Sequence, residues 1–107
     1  MPMDDKLAKF YKVLSNPVRL RIFMHIADKS VGFAPTVKEE SCISEISRTI
    51  NIPQPTASNH VKALKKAGLV KSTSVGTRCY HYVTKEAATY LMEHTQYIYD
   101  QAHKNPY

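Results

Sequence analysis

The chain has 107 residues, 43% of them hydrophobic, and a formal net charge of +6 from 15 Lys and Arg against 9 Asp and Glu. This length predicts one compact domain over residues 1–107. Because no apolar run reaches the length of a membrane span, residues 1–12 lack a secretory pattern and two cysteines make no disulfide scaffold, we expect a cytoplasmic protein without a membrane partner.

The first helix is predicted by an apolar stripe near the N-terminus. Leu7, Phe10 and Leu14 recur at helical spacing, so this helix should end at about Leu14. Asn16 and Pro17 follow it and predict a turn, with the asparagine as the cap and the proline in the first turn of a second helix.

The second helix is apolar on nearly all sides between residues 18 and 27. This pattern predicts a central buried helix, from which Arg19 and Arg21 reach the surface. Residues 29–40 contain glycine and proline without clear periodicity, so they are predicted to form a loop whose function stays open.

Two further helices are predicted on either side of a tight break. An apolar stripe over residues 43–50 indicates the third helix, with Ser44 as its cap and residues 41–43 as a short strand before it. Residues 51–53 have the length that joins the two helices of a helix-turn-helix.

The fourth helix, predicted over residues 54–67, has a chemically rich outer face. Ala57, Val61 and Leu64 repeat on its inner face, and Gly68 suits the left-handed residue that ends a helix. The opposite face is hydrogen-bonding or cationic throughout and carries Thr56, Asn59, His60, Lys62 and Lys66.

Two alternating runs, residues 69–73 and 78–83, joined across Val75-Gly76, predict a β-hairpin. The predicted fold is therefore mainly α with a small hairpin wing over about residues 69–83. Its order is helix, helix, short strand, helix, helix, strand, strand, helix. This is the order of a winged helix-turn-helix, which can lay its recognition helix in a DNA major groove while the wing reaches the flanking backbone or minor groove.

Charge also indicates nucleic acid. No acidic residue occurs between Glu45 and Glu86. The basic residues in that window are Arg48, Lys62, Lys65, Lys66, Lys71, Arg78 and Lys85. A solvated surface usually mixes both signs, so this one-sided stretch favours neutralisation of phosphates on double-stranded DNA.

A long last helix, capped by Thr84, is predicted to run to about Lys104. It has more apolar and aromatic surface than a small domain can cover, which predicts a homodimer through the first and last helices. The expected interface residues are Leu7, Phe10, Leu14, Tyr90, Leu91, His94, Tyr97 and Ile98. The alternative is that Tyr97 and Tyr99 are ordinary exposed tyrosines on a frayed end.

Three segments together carry a family resemblance: Leu14-Ser-Asn-Pro-Val-Arg-Leu-Arg-Ile22, Gln54 to Val70, and Gly76-Thr-Arg78. They resemble the arsenic-repressor (ArsR/SmtB-type) family of winged-helix transcriptional repressors over nearly the whole chain. The resemblance implies a homodimer that binds an operator specifically and blocks transcription until a signal, here unknown, releases it.

The same resemblance implies which residues contact DNA. Base or nearby phosphate contacts are implied for Gln54, Thr56, Ser58, Asn59 and His60. Phosphate contacts are implied for Lys62, Lys65 and Lys71, and wing contacts for Thr77 and Arg78. Asn59 is the best candidate to read a base, because a carboxamide can pair bidentately with adenine. The alternative for Ser58 is a packing role on the helix flank.

The sensor sites of the family are not reproduced. One of them has the pattern Cys-Val-Cys-Asp-Leu, whereas this chain has Cys42-Ile-Ser44-Glu-Ile46, and a hydroxyl is a poor ligand for soft metals. The family's zinc site on the last helix is matched near the helix end by Asp100 and His103, but residues 84–88 supply no partner pair. A lone His94 more often packs than binds metal. We therefore expect no metal site and no cofactor.

Cys42 and Cys79 allow two interpretations. Cys79, His81 and Val83 alternate onto one face of the second wing strand, and Cys42 precedes the third helix beside it. An oxidant could then join the two cysteines and alter DNA affinity. Alternatively, both are inert small core residues.

Two other classes of function are less consistent with the sequence. A winged helix can be an architectural or protein-interaction module without a specific operator, but the acid-free window speaks against that. No catalytic triad, phosphate-binding glycine loop or carboxylate pair stands out, so we do not expect an enzyme.

Overall fold

The computed structural model describes residues 5–29 and 42–104. The elements in chain order are α1 Asp5–Leu14, α2 Pro17–Lys29, α3 Ile43–Ile50, α4 Gln54–Ala67, β1 Val70–Val75, β2 Arg78–Val83 and α5 Lys85–Lys104. Residues 30–41, which include most of the predicted loop and Ser41 of the predicted strand, lie outside the described part. None of the helices described is both long and apolar enough to cross a membrane.

The turn between the first two helices is as predicted. α1 ends at Leu14 and α2 begins at Pro17. The Asn16 side-chain oxygen accepts a hydrogen bond from the Arg19 backbone N–H at 3.0 Å, which satisfies one of the free donors at the start of α2.

The prediction that α2 is buried on nearly all sides is wrong. Ile22, Phe23 and Ile26 are buried, whereas Leu20 is 41% and Met24 57% exposed. α1, α3, α4 and β2 pack against α2, and no element of the described residues covers the side that carries Leu20 and Met24. α2 therefore behaves as an amphipathic helix with two large apolar side chains, Leu20 and Met24, exposed.

The start of α3 also differs from the prediction. Cys42 is extended, with φ −76° and ψ 153°, and occupies the N-cap position without a side-chain cap bond. Ser44 lies inside the helix rather than capping it, because the helix already begins at Ile43. The predicted strand is not formed over residues 42–43, and the sheet described is two-stranded.

The turn between α3 and α4 is fixed by its own hydrogen bonds. Asn51 adopts the left-handed conformation, with φ 62°. The Ile52 N–H donates to the Ser47 carbonyl at 3.1 Å, and the Ser47 hydroxyl donates to the Ile52 carbonyl at 2.6 Å. These bonds hold the angle at which α4 leaves α3.

The hairpin pairs β1 and β2 antiparallel, from Val70 opposite Val83 to Val75 opposite Arg78. The two-residue turn is Gly76-Thr77, one residue later than predicted. Gly76 has φ 62°, a conformation that glycine adopts without a side-chain clash.

Thr84 caps α5, as predicted. Its hydroxyl accepts a bond from the Ala87 N–H at 3.2 Å and donates to the Gly68 carbonyl at 2.7 Å. Its backbone N–H donates to the Leu69 carbonyl at 3.0 Å. One residue thus joins the end of α4, the hairpin and the start of α5.

The core lies where α1, α2, α3 and α4 meet the base of the hairpin. Its fully buried members include Phe10, Ile22, Ile26, Ile46 and Leu64. Since α4 contributes apolar residues to this core, its position relative to the body of the protein is set by packing.

Candidate nucleic-acid interface

α4 has the bounds that the sequence predicts for a recognition helix. Pro55 stands in its first turn, where a missing N–H costs nothing. Gly68, with φ 86°, ends the helix as its N–H donates to the Lys65 carbonyl at 3.0 Å. The residues that anchor the inner face are Ala57, Val61, Leu64 and Ala67, all buried. The opposite face is consequently turned away from the core.

The predicted DNA-contacting residues divide into two groups by exposure. Those exposed are Gln54, Asn59, Lys62, Lys65, Lys71, Thr77 and Arg78. Those half-buried are Thr56, Ser58 and His60. The exposed group spans the outer face of α4 and both strands of the wing, so a duplex could touch both elements. The half-buried group lies on the flanks of α4, where side chains also contact the protein.

The position of Arg19 differs from the prediction that it reaches the surface. It is half-buried rather than free at the surface. Its Nη1 atom donates to the Val13 carbonyl at 3.2 Å, and its Nε atom donates to His60 Nδ1 at 3.4 Å. The Val13 carbonyl lies in the last turn of α1, where carbonyls lack helical partners and carry partial negative charge. Arg19 therefore links α1, α2 and α4.

The surroundings of His60 disfavour its charged form. Burial, and secondly the nearby Arg19 guanidinium, lower the pKa of His60 below its ordinary 6.5. The ring is thus mostly neutral at pH 7. No local sequence pattern predicts this contact, although both residues lie within segments that carry the family resemblance.

A pocket of about 250 Å³ separates the start of α3 from the tip of the wing. Its lining residues are Cys42, Ile43, Ser44, Gln54, Thr77, Arg78 and Cys79. Neither cysteine forms a disulfide in the described structure, and Cys42 is buried whereas Cys79 is exposed. The interpretation of both as core residues is wrong for Cys79, because the wing extends past the body at that point. His81 and Val83, further along β2, are buried.

The predicted dimer residues are not equally available to a partner. Leu7 and Phe10 are 4% and 1% exposed within their own chain, and Phe10 packs edge-on against Tyr90 at 6.1 Å between ring centroids. These two are core residues and have almost no surface left to offer. Leu14, Tyr90, Leu91 and His94 are half-buried. Tyr97 and Ile98 are 42% and 53% exposed.

The contact between α1 and α5 is partly polar. The Tyr11 hydroxyl and His94 Nδ1 share a hydrogen bond of 2.8 Å, and Lys6 pairs with Glu86. His94 is therefore held by a side chain of its own chain. Within residues 5–29 and 42–104, no three His, Cys, Asp or Glu side chains are grouped so that they could hold a metal ion.

A helix-turn-helix followed by a two-stranded wing, with the outer face of its second helix polar and cationic, defines a winged helix-turn-helix domain of the kind that binds DNA. Comparison with known proteins agrees. A family model described as a helix-turn-helix domain matches residues 14–73. An HTH-type transcriptional regulator of Methanocaldococcus jannaschii is 32% identical over 86 residues, which are 80% of this chain and 86% of that protein.

Other similar proteins narrow the class. The cadmium resistance regulatory protein CadC homolog of Staphylococcus aureus is 28% identical, over 86% of this chain and 67% of its own length. A homodimeric winged helix-turn-helix DNA-binding domain from Mycobacterium bovis, a possible ArsR-family regulator, superposes with a TM-score of 0.66 at 26% identity, covering 96% of this chain and 87% of that one. The chain belongs to the ArsR/SmtB family of winged helix-turn-helix transcriptional regulators. It is a regulator of transcription and not an enzyme.

Proposed function

We propose that this regulator is a homodimeric repressor that binds a specific operator through α4 and the wing. The observation that carries the proposal is the face of α4 opposite the core, where exposed hydrogen-bonding and cationic side chains occur without any acidic residue. Lys62 and Lys65 on α4, with Lys71 on β1, neutralise phosphates. Thr77 and Arg78 reach the flanking backbone or minor groove from the wing tip.

Specificity then depends on the uncharged polar residues of α4. Asn59 is exposed and can pair with an adenine edge, and Gln54 at the first position of the helix is the second candidate. Ser58 and Thr56 are half-buried, so they contact phosphate or base edges from the flanks. Asn59 is the residue whose loss should most relax the sequence preference.

The dimer is proposed from the outer half of α5. Tyr97, Ile98 and Tyr99 lie exposed there, and α5 contacts the rest of its own chain mainly through its first half. A second copy covering these side chains would place two α4 helices on successive major grooves, about 34 Å apart. The Mycobacterium bovis relative is itself homodimeric.

The test is a titration of the purified protein against duplex from upstream of its own coding region and against a scrambled duplex, across a salt series. A preference of at least about a hundredfold for the upstream duplex supports an autoregulating repressor. Equal binding to both duplexes, steeply dependent on salt, would favour an architectural module instead.

A second proposal concerns the signal that releases DNA. The common pocket of Cys42 and Cys79 supports a thiol switch between the start of α3 and the wing, beside Gln54. A peroxide supplies the oxidant. The thiolate of the exposed Cys79 attacks an oxygen of hydrogen peroxide and gives a sulfenic acid and hydroxide, which takes up the proton lost by the thiol to become water. The Cys42 thiol then attacks the sulfenic sulfur, which forms the disulfide and releases a second water. Closing this pocket would draw the wing tip towards α3 and away from the duplex.

The switch is tested by adding one equivalent of hydrogen peroxide per protomer and measuring both the intramolecular disulfide and operator affinity. We expect disulfide formation and at least a tenfold loss of affinity, reversed by dithiothreitol. Cys42→Ser and Cys79→Ser should abolish the response while binding DNA normally when reduced. An unchanged affinity in fully disulfide-bonded protein would refute the switch.

A further inference from the structure

The contact between Arg19 and His60 fixes the position of a proton. An arginine side chain only donates hydrogen bonds, since its guanidinium remains protonated and has no acceptor. The Nδ1 atom that receives the Arg19 Nε–H bond must therefore carry a lone pair. A neutral histidine with a lone pair on Nδ1 has its hydrogen on Nε2. His60 is thus held as one of its two tautomers.

The other ring nitrogen is open. No hydrogen bond to Nε2 of His60 is formed within the described residues, and no buried side-chain nitrogen or oxygen among them lacks a partner. Since an unpartnered Nε2 is therefore not buried, it is accessible from solvent. Its N–H is a donor available to a ligand that lies along the flank of α4.

Arg19 is itself held in place by hydrogen bonds, so it can select one tautomer of His60. Its Nη1 atom is bound to the Val13 carbonyl, and its backbone N–H to the Asn16 side chain. The guanidinium consequently bridges the end of α1 and the middle of α4. A freely rotating side chain could not select one tautomer of its neighbour.

We infer that Arg19 is a positioning residue, which holds His60 with its hydrogen on Nε2 so that α4 offers one neutral donor to a hydrogen-bond acceptor on DNA. The inference rests on the proposed function, because it names what one residue of that interface recognises. The acceptor is a phosphate oxygen or the N7 or O6 atom of a purine. An exocyclic amino group, which itself donates, is excluded at this position.

Neutral His60 differs from a lysine in what it can distinguish. A cation is attracted to every phosphate, whereas one fixed N–H needs an acceptor in one direction. The lowered pKa of His60 keeps the ring uncharged near pH 7 and so supports the role. Arg19 acts on DNA through His60 and need not touch the duplex.

The tautomer can be measured without DNA. Long-range ¹H–¹⁵N correlation spectra of the free protein at pH 7.5 should show an unprotonated Nδ1 and a protonated Nε2 on His60. In Arg19→Gln the ring should become a mixture of both tautomers, whereas the exposed neighbour Arg21→Gln should leave it unchanged. A protonated Nδ1 in the wild-type protein would overturn the inference.

The effect on DNA is measured with a duplex recovered by selection from a random pool. Arg19→Gln should weaken binding about tenfold, the effect of one well-placed hydrogen bond to a charged or polar acceptor. Arg21→Gln removes the same charge and controls for long-range electrostatics. In a His60→Gln background, Arg19→Gln should have no further effect, because its only route to DNA is gone.

Three outcomes separate the possible failures. Equal losses from Arg19→Gln in both backgrounds would overturn the positioning role. Arg19→Met removes every side-chain donor at this position, so a folded Arg19→Met with wild-type affinity and tautomer would do the same. Failure to recover any preferred duplex would instead refute the proposed function, while the free-protein spectra still report the tautomer.

The source of the acceptor is resolved by modified duplexes. If a methylphosphonate at one linkage abolishes the difference in affinity between wild-type protein and His60→Gln, the acceptor is a phosphate oxygen of that linkage. If a 7-deazapurine at one position abolishes this difference, the acceptor is on a base edge. If His60→Gln binds every modified duplex with the same relative loss as wild-type protein, no DNA acceptor for His60 exists and the inference fails.

Discussion

Two regions of the molecule, α4 and the outer half of α5, differ in how far their apolar side chains are covered by the same chain. Around α4, the inner face is covered by the same chain, and the outer face is polar. Along the outer half of α5, the aromatic and aliphatic residues Tyr97, Ile98 and Tyr99 are exposed. The apolar side chains of the first region are covered within one chain. Those of the second region are exposed, which is typical of a surface that binds a partner.

This difference indicates how each region contributes to binding. In the proposed function, the surface of α4 would determine what is bound, because its exposed side chains would face base edges and phosphates. In the proposed dimer, the surface of α5 would determine how many copies are bound together, because a second copy would cover its exposed side chains. Changes in the two regions should therefore have separable effects, which the following experiments measure.

The largest effect should come from breaking the dimer. Ile98→Asp introduces a charge into the exposed apolar surface of α5, which would be buried between two copies. We expect a monomer in sedimentation analysis and a loss of operator affinity of about a hundredfold or more, since two linked recognition helices bind far more tightly than one. Its melting temperature should change little at low concentration, and Lys104→Asp at the exposed end of α5 is the charge control. A dimeric Ile98→Asp would show that α5 is not the interface.

The next effect should come from the outer face of α4. Asn59→Ala removes an exposed carboxamide without touching the core, so the fold should be unchanged. Affinity for the selected duplex should fall by about tenfold to a hundredfold, while affinity for a scrambled duplex changes little. Competition between the two duplexes measures this directly. Equal losses on both would mean that Asn59 contacts only the backbone.

A smaller and uniform effect should come from a phosphate contact. Lys62→Ala should weaken binding to all duplexes by a similar factor and reduce the slope of log affinity against log salt by about one. Lys9→Ala, on the exposed face of α1, is the matched control and should leave the slope unchanged. Equal slopes for the two variants would remove Lys62 from the DNA interface.

The smallest effect concerns pH and stability. Because the pKa of His60 is lowered in the folded state, first by burial and then by Arg19, the unfolded chain binds more protons just below pH 6.5. Stability should therefore fall as pH drops from 7.5 through 6.5 and below. His60→Gln should show less of this fall in urea titrations. A larger loss of stability in His60→Gln than in wild-type protein over this pH range would contradict a lowered pKa of His60.

Local signals made most of the fold predictable. The bounds of α4, the Asn16 and Thr84 caps and the wing all follow from patterns within a few residues of one another. The prediction that Ser44 caps α3 is wrong. Several residues near a helix start can serve as caps, and Cys42 occupies the N-cap position.

Properties set by tertiary packing were not predictable. Leu7 and Phe10 share the helical spacing expected for an interface, yet they pack within their own chain. Leu20 and Met24 look like core residues, but no described element covers them. The Arg19–His60 contact joins positions 41 residues apart, for which no local pattern exists.

Thr84 has a mechanical consequence. Its hydrogen bonds to Gly68, Leu69 and Ala87 make a stiff joint between the end of α4, the hairpin and α5, which has 20 residues. At about 1.5 Å per residue, α5 is a lever about 30 Å long, so a tilt of about 10° at the joint moves its far end by about 5 Å. In a dimer built on α5, that motion would alter the spacing of the two recognition helices. The register of paired half-sites would thus depend on the angle held by one threonine.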